Sequence, residues 1–133
     1  MNAPLIIANV LTLLAFFVHA IQGDKELHSL QPTDPGNTGR LQERWTMARA
    51  GWHFVSFDLF WVTLGLTLIN FTDLLPAETT LLYVLAVYAA GTGIAWLLAV
   101  LISPRFPQNL LRLGQWMLLI GIGGLVLWGA YLG

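Results

Sequence analysis

Apolar residues gather in four long runs separated by short polar punctuation, the pattern of membrane-spanning helices. The first run, residues 4–22, carries no formal charge and is interrupted only by Asn9, Thr12 and His19. The second covers about 49–71, the third 79–102 and the fourth 109–132, each 23 or 24 residues long. About 20 helical residues cross the hydrocarbon core of a bilayer, so every run is long enough to span it. Val18-His19-Ala20 loosely resembles a signal cleavage site, but a secretory signal needs a cationic segment before its apolar stretch. Met1-Asn2-Ala3 supplies none, and the first run is read as a retained helix.

The punctuation predicts the connections. Gly23 and Asp24 are expected to end the first helix, and Pro32, Pro35, Gly36 and Gly39 oppose continuous helix beyond it. A loop over about 23–48 follows, in which 41–48 is expected to form a short interfacial turn with Trp45 at headgroup level. Pro76 marks a second, short turn, and Ser103-Pro104-Arg105-Phe106-Pro107 a third, stiffened by two prolines. The expected fold is all-α, an integral membrane four-helix bundle, with residues 1–133 forming a single transmembrane domain.

Composition agrees. Of 133 residues, 56% are hydrophobic and only 10% are charged, with a mean hydropathy of +0.69. A soluble domain carries about 25% charged residues, so this chain cannot coat a water-facing surface. The net charge of -1 and the scattered cations give no basic patch for nucleic acid. Without cysteine there are no disulfides, thiolate-held metals, iron–sulfur clusters or covalent haem linkage. Lys25, Arg40, Arg44 and Arg49 lie in or beside the first loop and Arg105 and Arg112 in or beside the third, with none at the termini or second loop. The positive-inside bias therefore expects loops one and three in the cytoplasm and both termini outside.

Small residues stud the last two helices. Gly91, Ala95 and Ala99 recur every four residues in the third, and the fourth carries Gly114, Gly121, Gly123, Gly124 and Gly129. In lipid, close backbone approach replaces the hydrophobic drive between helices, so these positions are expected to form seams within the bundle, in a homo-oligomer or against a larger membrane complex.

The candidate chemistry is polar groups inside the apolar runs. At about 100° per residue, His19, Gln22 and Glu26 share a face near the end of the first helix. His53 begins the second at similar depth, on a face with Arg49, Ser56, Phe60, Thr63 and Thr67. One reading has the two histidines hydrogen-bonding each other, Ser56 or a backbone carbonyl. Another makes His19, His53 and Glu26 a metal site, with Asp24 and His28 nearby, since imidazole and carboxylate suit zinc, copper, iron or manganese. Two imidazoles are also the axial ligands of a haem held in a bundle core. Asp58, nine residues beyond Arg49, is expected deep in the hydrocarbon, either paired with Arg112 or Gln115 or serving protons or a solute. No catalytic motif is present, and an enzyme is the least supported reading.

His19, the turn Gly23-Asp24-Lys25-Glu26 and the pair Trp52-His53 together resemble a group of small, uncharacterised four-helix bacterial membrane proteins. In those proteins a first-helix histidine precedes a Gly-acid-x-Glu turn and a Trp-His pair opens the second helix. The resemblance covers roughly residues 15–65 and departs at Ser29-Leu30-Gln31-Pro32, where the group often has a basic residue and Pro-Leu-Leu. It implies the fold and a bacterial inner membrane and brings no activity. Three functional expectations stand: a non-enzymatic membrane protein whose His/carboxylate cluster binds a metal or haem, an accessory or assembly subunit of a larger membrane complex, and a transporter or proton-handling protein built on Asp58.

Overall fold

A computed structural model describes residues 2–33, 38–75, 78–103 and 107–132. The fold is all-α. Helix α1 spans Ala3–Phe17 and passes into a π-helical turn, Val18–Gly23, and then into α2, Asp24–Ser29. Helix α3 spans Thr38–Phe71, α4 Glu78–Ile102, α5 Asn109–Arg112 and α6 Gln115–Leu132. Four helical stretches, Ala3–Ser29, Gly39–Phe71, Glu78–Ile102 and Gln115–Leu132, are long and apolar enough to cross a membrane, which makes this a multi-pass membrane protein.

Three boundaries differ from the sequence expectation. Gly23 does not end the first helix, because its backbone is right-handed helical (φ -65°, ψ -37°) and the chain continues to Ser29. Its glycine is required by a close approach: a Cβ there would collide with the indole of Trp52. The second helix starts at Thr38 rather than near Arg49, so residues 41–48 are regular helix and not an interfacial turn. No proline lies between Thr38 and Phe71 to oppose this. The fourth run is broken, because Leu113 leaves helical geometry (φ -108°, ψ 44°) between α5 and α6. The freed carbonyls are satisfied by indoles, Trp96 Nε1 donating to Leu113 O (3.3 Å) and Trp116 Nε1 to Leu110 O (3.1 Å). Pro35, Gly36, Pro76, Pro104, Arg105 and Phe106, on which turns were expected, lie outside the described residues.

The chain forms two compact units, Met1–Leu11 with Gly65–Gly133, and Thr12–Leu64. In the first, α4 and α6 run antiparallel with their backbones close. Gly93 abuts Ile120 and Trp116, and Gly123 abuts Ala86 and Ala90, so that a side chain on either glycine would meet backbone atoms. The α4 positions that bury are Leu82, Ala86, Ala89, Gly93 and Val100. The expected seam Gly91, Ala95 and Ala99 is exposed instead, and nothing lies near Gly91. Two residues separate Gly91 from Gly93, about 200° around a helix, which puts the predicted stripe on the opposite face. The α1 end joins this unit through polar ties: Asn2 Nδ2 donates to Gly129 O (2.7 Å), Asn70 Nδ2 to Leu5 O (3.2 Å), and Asn9 and Thr67 exchange hydrogen bonds at 3.1 and 3.2 Å. Buried polar groups in apolar surroundings are tolerated when they are paired in this way.

Candidate functional site

The second unit pairs the end of α1, the π-turn and α2 with most of α3. The inward positions of α3 advance in steps of three and four, Trp45, Arg49, Trp52 and Ser56, the spacing that keeps one face on a neighbouring helix. Each of them makes a bond to the facing strip.

Trp52 is the central contact. Its ring lies against Gly23, stacks on the His19 imidazole with centroids 4.0 Å apart and planes 7° from parallel, and its Nε1 donates to His19 O at 2.9 Å. The widened π-turn explains why that carbonyl is available, since an i→i+5 pattern disrupts the regular ladder of α-helical bonds. His19 Nδ1 lies 3.0 Å from Ser56 Oγ, and the Ser56 hydroxyl itself donates toward Trp52 O at 3.4 Å. Which of the two donates follows from the imidazole tautomer. Ser56 is buried, and this pairing satisfies it.

One turn further along, Arg49 grips Asp24 with two parallel hydrogen bonds, Nε to Oδ1 at 2.8 Å and Nη2 to Oδ2 at 2.9 Å. His53 Nε2 adds a third contact to Asp24 Oδ1 at 3.1 Å, with 47% of its side chain exposed. The same guanidinium sits 5.5 Å from the Trp45 ring centroid, and Trp45 Nε1 donates to Leu27 O at 2.9 Å. Bidentate geometry and the cation–π contact both favour arginine over lysine here.

The predicted site residues therefore divide. His19, Ser56 and Trp52 form one connected group, and Asp24, His53 and Arg49 another directly beside it. Glu26 is exposed, and its carboxylate accepts from Gln22 Nε2 at 3.4 Å. His28 is exposed, its ring 6.3 Å from that of Trp45. Asp58 is half-buried, and among the described residues of its unit its carboxylate has no hydrogen-bond or ion-pair partner. Arg112 closes α5 in the other unit. No three His, Asp or Glu side chains among the described residues are grouped to hold a metal ion. Among the contacts that escaped sequence reasoning are the Arg49–Asp24 pair, the Trp52 stack and bond on His19, the His53 contact to Asp24 and the Trp45 bond to Leu27. The signal for the first was present in Arg49 lying four residues before His53, but a straight helix turns Asp24 away from it.

No protein-family model, curated protein or solved structure matches this chain.

Proposed function

We propose that this chain is a non-enzymatic protein of the bacterial inner membrane, with both termini outside, that serves as an accessory or assembly subunit of a larger membrane complex. In this reading the His/carboxylate cluster is a latch. It holds α2 against the first turns of α3 and presents that hairpin end at the cytoplasmic surface.

The observation that carries the reading is the length of α3. Its 34 residues measure about 51 Å, against about 30 Å of hydrocarbon, so three to four turns must lie beyond the apolar core. The excess is the polar end, with Arg40, Glu43 and Arg44 exposed on it and Lys25 and Glu26 exposed on α2. Trp45 and Arg49 bind this end to α2 through Leu27 and Asp24. A helix end held out of the bilayer and bearing charges of both signs suits contact with another protein. The bonding within the cluster supports the latch over a metal or haem site: both Asp24 oxygens receive donors, His19 Nδ1 is committed to Ser56, and Glu26 is bonded to Gln22.

The test is site-specific photocrosslinking in the membranes of the protein's own cells, with the reactive residue at Arg44 and, for comparison, at lipid-facing Val87. A protein adduct specific to position 44 is expected. No adduct there, from a chain that also extracts as a lone 14.7 kDa species, would overturn the reading.

A further inference from the structure

We propose that the π-turn Val18–Gly23 is a register switch in which Asp24 and Glu26 are alternative partners of Arg49. In one register, the observed one, Asp24 faces α3. In the other the turn relaxes to ordinary α-helix, α2 rotates by about one residue step, and Glu26 takes the place of Asp24.

The angular arithmetic motivates this. His19 and Asp24 both bond to α3, through Ser56 and through Arg49 and His53. Five residues of straight α-helix would set them about 140° apart, which is incompatible with facing the same partner. The π-turn closes that gap by placing one residue more than an α-turn holds. Glu26, seven residues beyond His19, is only about 20° from it in an unbroken helix, yet it is exposed here and turned toward Gln22. Asp24, which holds Arg49 here, and Glu26, which does not, are thus each matched to one register of the same segment.

The backbone can support both. Phe17, Gly23 and Asp24 all have right-handed helical dihedrals, so no residue has to cross a forbidden region to change register. Where the π-turn passes into α2, the Asp24 N–H bonds Ile21 O in a 3₁₀-type contact, which an α-turn would exchange for a bond one residue longer. The observed register is held by the stack of Trp52 on His19, the seating of Trp52 on Gly23 and the Arg49 pair. The alternative trades the Asp24 pair for a Glu26 pair and regains regular α-helical bonds. The inference concerns the hairpin itself and holds whichever partner its projecting end meets.

The experiment measures thermal unfolding of the detergent-purified chain carrying Asp24→Asn, Glu26→Gln and both, in the parent and after deletion of Ile21. That residue is exposed in the π-turn, and its removal takes out the extra residue while keeping Asp24 opposite Arg49. In the parent, Glu26→Gln alone should leave Tm unchanged and Asp24→Asn should lower it modestly, because Glu26 substitutes. The double variant should lose clearly more than the sum of the two, or fail to fold where both single variants fold. In the deletion background Asp24→Asn should give its full loss alone, and adding Glu26→Gln should change nothing. Additive losses in the parent, or the same excess loss in both backgrounds, would overturn the switch.

Discussion

Trp52 bonds to His19 twice over, its ring flat against the imidazole at 4.0 Å and its Nε1 on the histidine's own carbonyl at 2.9 Å. One side chain thereby reads both the ring and the backbone of a π-turn, and it does so across a glycine that leaves it room. Trp52→Phe keeps a ring and removes the N–H, and should cost about 1 kcal/mol of unfolding free energy for the lost hydrogen bond. Gly23→Ala introduces a methyl group where the indole lies and should cost about 1–3 kcal/mol by overpacking. Chemical unfolding in mixed micelles, followed by far-UV circular dichroism, checks both, and an unchanged Gly23→Ala chain would contradict the close approach.

The part-buried Asn9–Thr67 exchange offers a second check, in the other unit. Interhelical polar pairs in membrane proteins couple by about 0.6 kcal/mol on average. A double-mutant cycle of Asn9→Ala and Thr67→Ala should return a favourable coupling of about that size. A coupling of zero would mean the two side chains stabilise their helices independently.

Packing of α4 on α6 makes a prediction about which small residues matter. Gly123→Leu should strongly destabilise the chain, because the new side chain meets the Ala86 carbonyl and Ala90, backbone atoms that cannot step aside. Ala95→Leu, on the exposed face of the same α4, should leave thermal unfolding of the monomer unchanged. The reverse order of effects would restore the stripe of Gly91, Ala95 and Ala99 as the helix-to-helix seam.

The four spans were legible in the sequence because apolar runs of that length with so few charges match the thickness of a bilayer. Their register was not. The small-residue argument picked the two helices that pack, but the α4 face on α6 carries Gly93, and the stripe of Gly91, Ala95 and Ala99 lies on the other face, where of its two expected uses only the one against a neighbouring subunit is left. Register also hid the partner of Arg49. Constant rotation per residue aligned His19 with Glu26, whereas one extra residue in the turn aligns it with Asp24. Of the contacts weighed from the sequence, the pairing of His19 with Ser56 is present, because polar groups in apolar surroundings are paired. The long reach of α3 was missed because Pro35 and Gly36 suggested a loop extending well beyond them.

The cations predict orientation. With Lys25, Arg40, Arg44, Arg49, Arg105 and Arg112 all in or beside the two connections expected in the cytoplasm, both termini should face out. A reporter active only outside the cytoplasm, fused after Gly133, should be active, and a cytoplasmic reporter at the same place should be silent.

The central claim is that the histidine cluster is a self-satisfied latch, and the direct measurement is metal and haem binding set beside stability in one preparation. Protein purified in mild detergent should be colourless, contain no stoichiometric metal and take up neither zinc nor haem on titration. His19→Ala should lower its Tm under those metal-free conditions, through loss of the Ser56 bond and the Trp52 stack. A stoichiometric metal or a haem absorption band that disappears in both His19→Ala and His53→Ala would contradict the latch and make these side chains ligands.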